Sequence, residues 1–139
     1  MKEVGPLNAE LSDVISRMGH RDEMIVCDAG FAIPPGIRIV DLSLAENKPT
    51  VPELLEELKK YFSVEKLVFA NETKTVSPTQ FKTIVDLFGK GISVETVPLA
   101  DFRERSKTVK AVVRTGDFTA YSNVLLVSGA GDRWNVEKP

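Results

Sequence analysis

Only one imidazole and one thiol occur among the 139 residues, His20 and Cys27. The usual zinc sites draw about four ligands from Cys, His and carboxylates, so this pair does not supply the usual set. Any imidazole acid–base chemistry must therefore be done by His20. Asp28 is the second candidate. It directly follows an apolar run, Met24 to Cys27, and precedes Ala29-Gly30, so it stands where a strand gives way to a turn. A carboxylate there can accept hydrogen bonds from ligand hydroxyls or take a proton; it can equally cap its own turn. Tyr121 and Asn123 offer a phenol and an amide at the entry to a late apolar run. If the chain is extended there, both side chains point to one face, and they suit sugar hydroxyls as well as ordinary turn contacts.

Other features read as structural. Cys27 points away from Asp28 along a strand and is a core thiol. Gly129-Ala130-Gly131 lacks the third glycine of a dinucleotide fingerprint, Trp134 standing in its place, and no helix pattern follows. The run Arg103, Glu104, Arg105, Lys107 is a solvated helix face.

These residues must be placed by the elements around them. Asn8 caps a helix with apolar residues at Leu11, Val14, Ile15 and Met18, and Gly19 stops it, so His20 falls just past a helix end. Partial negative charge there favours an imidazolium, and simple capping is the alternative role. Glu23 to Cys27 reads as a central strand, and Ile37 to Asp41 as a short extended piece. Thr50-Val51-Pro52-Glu53 has capping-box chemistry and opens a helix burying Leu54, Leu55, Leu58 and Phe62. After a strand at Lys66 to Ala70, Ser77-Pro78-Thr79-Gln80 repeats that signal before a helix with Phe81, Ile84, Val85 and Phe88. Ile92 to Val97 is a strand, Ala100 to Arg105 a short helix, Val109 to Arg114 and Asn123 to Ser128 strands, with a polar loop at Thr115 to Ser122. The alternation predicts an α/β fold, a three-layer sandwich with a largely parallel or mixed central sheet flanked by helices.

Composition bounds the partners. With 18 basic and 20 acidic side chains, a formal charge of −2 and 42% apolar residues, the chain is expected to form one domain over 1–139, with no basic stripe for nucleic acid or an anionic membrane. No apolar run approaches the roughly 18 residues of a membrane span, and no signal-peptide pattern opens the chain. A lone cysteine gives no internal disulfide and no sign of an oxidising compartment.

Three blocks then carry a family likeness. Val14-Ile15-Ser16-Arg17-Met18-Gly19-His20, Val26-Cys27-Asp28-Ala29-Gly30-Phe31-Ala32-Ile33-Pro34, and Val113-Arg114-Thr115-Gly116-Asp117 with Tyr121-Ser122-Asn123 resemble the D-ribose pyranase and L-fucose mutarotase family, in order and over essentially the whole chain. The resemblance implies a cytoplasmic enzyme that interconverts ring forms of a free sugar without metal or organic cofactor, in the ribose branch pyranose to furanose. It implies His20 as the catalytic acid and Asp28, Tyr121, Ser122 and Asn123 as sugar-binding positions. It also implies a homo-oligomer, in the ribose branch a decamer of two pentamers, with sugar held between subunits. One position departs. The ribose branch usually has a second pocket histidine three residues before the phenylalanine of the short late helix, and here that position is Leu99; Asp101 and Arg103 are the nearest possible substitutes. An L-fucose-type mutarotase and a non-catalytic sugar-binding ring are the competing readings.

Chain geometry speaks to the oligomer independently. With Glu23 to Cys27 extended, His20 and Asp28 stand roughly 15–25 Å apart at about 3.3 Å per residue. Both reach one sugar only if subunits share the site or the chain near Gly19 turns back.

Overall fold

The computed structural model describes residues 1–137 and 139. In chain order the elements are α1 (Ala9–Arg17), β1 (Glu23–Cys27), β2 (Ile39–Asp41), α2 (Val51–Leu58), β3 (Val64–Ala70), α3 (Asn71–Val76), α4 (Pro78–Leu87), β4 (Ser93–Val97), α5 (Leu99–Ser106), β5 (Ala111–Arg114) and β6 (Val124–Ser128). The six strands form one sheet in the order β2-β5-β1-β6-β3-β4. All lie parallel except β6, which runs antiparallel between β1 and β3. That single reversal matters for the site. The carboxyl ends of five strands and the amino end of β6 share one edge of the sheet.

Both faces are covered, which is why the central strands read as unbroken apolar runs. Met24 and Val26 of β1 pack with Leu11 and Val14 of α1, Leu55 of α2 and Ile84 of α4. Ile25 and Cys27 alternate to the other face, against Phe102 of α5. Cys27 is fully buried, and burial, with Asp28 next in line, pushes its thiol far above the ordinary range, so it is no nucleophile. The expected three-layer α/β sandwich with a mixed sheet is the architecture observed.

Local signals hold at the helix starts where the cap is truly local. Asn8 Oδ1 accepts the Leu11 N–H at 2.9 Å, and Thr50 Oγ1 accepts the Glu53 N–H at 3.2 Å. The second expected box does not form. Ser77 makes no cap bond and Gln80 does not reach back to it; both side chains go instead to the 115–122 loop, because α3, a helix the periodicity did not reveal, brings the start of α4 against that loop. The basic run on α5 is likewise only partly a solvated face. Arg105 is half-buried and pairs with Glu23 at 2.7 Å. Among the described residues no helix is long and apolar enough to cross a membrane.

Candidate active site

β1 delivers Asp28 to the sheet edge where β6 begins. The Asp28 N–H donates to Asn123 Oδ1 at 2.9 Å, and Asp28 Oδ1 accepts the Gly30 N–H at 3.0 Å. The turn-capping role and exposure to a cleft therefore coexist in one carboxylate. Burial raises its pKa above the ordinary range, bonds from Gly30 and Asn123 pull it back in part, and the charge of Asp117 raises it further.

The loop between β5 and β6 is held from several sides. Asp117 is almost fully buried, and its Oδ2 accepts the Val51 N–H at 2.8 Å and the Gln80 amide at 2.9 Å, while Oδ1 accepts the Thr119 N–H at 2.8 Å. A buried carboxylate needs such donors to offset its lost hydration. Thr73 of α3 donates to the Tyr121 carbonyl and Ser77 to the Ala120 carbonyl, each at 2.7 Å. Gly116 is required by contact: a Cβ there would lie 2.2 Å from the Ala45 carbonyl oxygen. So pinned, the loop turns at Tyr121, whose φ of +56° is left-handed and not extended.

Asp28, Phe31, Leu99, Arg103, Tyr121 and Asn123 line a cleft of about 400 Å³. That is near the lower end for small-ligand sites, which run about 300–1,000 Å³. A carboxylate, a phenol, an amide and a guanidinium converge there on an apolar wall, a set that suits a small polyhydroxyl compound. A neighbouring cleft of about 450 Å³ shares Asp28 and is bounded by Arg114, Asp117 and exposed Phe118.

The structure thus brings Asp28, Leu99, Tyr121 and Asn123 together and leaves two expected residues out. Ser122 is fully buried: its hydroxyl accepts the Gln80 amide at 2.7 Å and faces Asp117 Oδ2 at 3.5 Å, so it supports the loop from behind and does not face the cleft. His20 lies at the opposite edge of the sheet. It sits beyond the end of α1 in a turn closed by the Gly19 N–H on Asp22 Oδ2 at 2.7 Å, and its Nε2 is 3.0 Å from Glu65 Oε2. The ring thus engages Glu65 and makes no bond to the last carbonyls of α1.

Residue types alone did not single out Phe31, Asp117, Gln80 or Glu65 for the site. Of the two substitutes considered for the missing histidine, Arg103 lines the cleft and Asp101 does not. Gln80 stood within a cap signal, and Asp117 within a quoted block without a role. Nothing in the sequence near Glu65 marked it. Among the described residues no group of three or more His, Cys, Asp or Glu side chains is placed to hold a metal ion.

Comparison with known proteins gives consistent likenesses. The model of the RbsD / FucU transport protein family matches residues 1–131. The chain is 40% identical over 129 residues to the D-ribose pyranase of Pseudothermotoga lettingae, covering 93% of this chain and 92% of that one. It is 41% identical over 132 residues to the D-ribose pyranase of Thermotoga maritima, covering 93% and 98%. The structure of Bacillus subtilis RbsD complexed with D-ribose matches with a TM-score of 0.89 at 34% identity, over 94% of this chain and 98% of that chain. The Streptococcus pneumoniae fucose mutarotase in complex with L-fucose matches with a TM-score of 0.72 at 22% identity, over 90% and 94%, a likeness of fold.

Proposed function

The chain belongs to the RbsD / FucU family, and from that premise we propose that it is an isomerase that interconverts the pyranose and furanose forms of D-ribose by acid–base-assisted ring opening. The observation that carries the reading is the cleft at the β1–β6 edge, where Asp28, Tyr121 and Asn123 converge in a chain about 40% identical to D-ribose pyranases. The whole chain, 1–139, serves as one sugar ring-isomerase domain.

In the proposed reaction the anomeric hydroxyl loses its proton as the C1–O5 bond breaks and O5 gains one. The aldehyde so formed is attacked by O4, which gives up its proton while the carbonyl oxygen takes one. Sugars do this slowly in water, so positioned acid–base groups worth about 10²–10⁴-fold are sufficient. Asp28, its carboxyl raised by burial, is suited to accept hydrogen bonds from hydroxyls and to take a proton. Tyr121 and Asn123 hold the sugar edge, and His20 carries the proton to or from the ring oxygen.

His20 and Asp28 of one chain lie at opposite sheet edges, so the reading requires His20 from a second copy. We take the assembly to be a homodecamer of two pentameric rings with sites at subunit interfaces, working in the cytoplasm. Leu99 favours one alternative: an apolar wall in place of a hydrogen-bonding group relaxes the demand for ribose and fits an L-fucose-type exchange of anomers.

Magnetisation-transfer NMR on D-ribose and L-fucose, with and without His20→Ala, tests these readings. Faster pyranose–furanose exchange in ribose that is lost in the variant supports the proposal. Acceleration confined to fucose anomers selects the mutarotase, and binding without acceleration leaves a sugar-binding ring. Light scattering showing a monomer at working concentration would remove the shared site.

A further inference from the structure

The turn that carries His20 is rigid for reasons unrelated to its ring. Gly19 N–H binds Asp22 Oδ2, Arg21 takes a left-handed φ of +70°, its N–H donates to the Ser128 carbonyl at 2.8 Å, and the Ser128 N–H donates back to the Asp22 carbonyl at 2.9 Å. Asp22 is engaged in this closure and also faces Lys110 at 3.4 Å. The imidazole, more than half exposed, is left to a different carboxylate.

That carboxylate arrives by an irregularity in the sheet. In β3, Val64 pairs with Ser128 and Lys66 with Val127, so two steps along β3 match one step along β6 and Glu65 is the extra residue of a bulge. A bulge releases one residue from the ladder and re-aims its side chain. Gly129 makes the space: a Cβ there would stand 2.7 Å from the Glu65 Cβ. Glu65 Oε2 meets His20 Nε2 at 3.0 Å while Oε1 faces Arg21 Nε at 3.7 Å, so the two oxygens face different partners.

We propose that Glu65 is a positioning residue that binds the Nε2–H of His20 and leaves Nδ1 as the nitrogen that exchanges a proton with the sugar. An ionised carboxylate only accepts hydrogen bonds, so the contact requires the proton on Nε2, and the neutral ring then carries its lone pair on Nδ1. A third group that fixes tautomer and ring orientation is a recurrent arrangement for acid–base imidazoles. The inference rests on the assignment of proton transfer to His20.

His20 is the sole histidine, so ¹⁵N-histidine labelling of the full chain reports one ring. In buffer well above the ordinary imidazole range, Glu65→Ala is expected to lower the ratio of the Nε2–H to the Nδ1–H form about five-fold, the equivalent of one ordinary hydrogen bond. The same variant should lower kcat for ring exchange about ten-fold with KM within two-fold, a fraction of what a positioned acid–base group contributes. Glu65→Gln, whose amide oxygen accepts the same bond, should restore the ratio and most of the rate. An unchanged ratio in Glu65→Ala, or a Gln variant that restores neither, would overturn the proposal. A wild-type protein that accelerates no ring exchange would defeat the functional reading instead, and the nitrogen spectra would still decide the Glu65 contact.

Discussion

Asn123 Oδ1 accepts the backbone N–H of Asp28 at 2.9 Å although 95 residues separate them. The bond ties the end of β1 to the start of β6, the two neighbouring strands that run in opposite directions. Only because β6 is reversed does its amino end reach the edge where β1 delivers its carboxylate.

Replacing Asn123 by Ala should therefore do more than remove a cleft side chain. It leaves the Asp28 N–H without its acceptor, a loss of about 1–3 kcal/mol where water cannot compensate. Urea unfolding should report that loss, and ribose titration should show weaker binding in the same variant. Wild-type stability together with wild-type binding would count against both roles.

Asp28 should make stability depend on pH in a definite sense. Burial raises its folded pKa above the ordinary carboxylate value. Its contribution is therefore fully present below the unfolded value near pH 4 and is lost as pH rises through the raised folded value. Asp28→Asn, which stays neutral, should gain stability relative to the wild type as pH climbs from 4 to 7, while ring exchange falls. Denaturant midpoints for the two proteins across that range provide the check.

Gln80→Ala removes donors from both Asp117 and Ser122. The expected result is a loss of about 1–3 kcal/mol in stability, with faster amide hydrogen exchange at 117–122 and a raised KM. Gly116→Ala attacks the same loop from its other side by forcing a Cβ onto the Ala45 carbonyl. A loss on the order of 3 kcal/mol follows from that overpacking, measurable by thermal unfolding.

Leu99→His would place a hydrogen-bonding ring on the apolar wall of the cleft. If the wall sets sugar preference, the variant should bind D-ribose up to about ten-fold more tightly, the value of one neutral hydrogen bond. Parallel titrations with ribose and fucose distinguish a preference change from a general one.

What could be read without the fold was short-range. Asn8 caps its own helix three residues on, the apolar stripes of α1 and α2 face the core, and Cys27 and Asp28 diverge by strand alternation, because neighbouring residues alone set those geometries. The same local logic misread Ser77 and Gln80, since a stronger set of partners lay about 40 residues away in the β5–β6 loop. Whether Tyr121 and Asn123 share one face depended on extended backbone there, and the bonds that hold the loop bend Tyr121 into a left-handed turn instead.

The sequence by itself determined the elements other than α3, the two-sided burial of the central strands, and the placement of His20 before and Asp28 after β1. Tertiary structure decided that β6 enters the sheet in reverse, that Ser122 turns inward while Arg103 lines the cleft, and that a bulge directs Glu65 onto His20. The physical reason is separation along the chain. Helix caps and strand alternation are settled within a few residues, whereas the Glu65–His20 contact spans 45 residues and exists only once β3 and β6 have paired around Gly129.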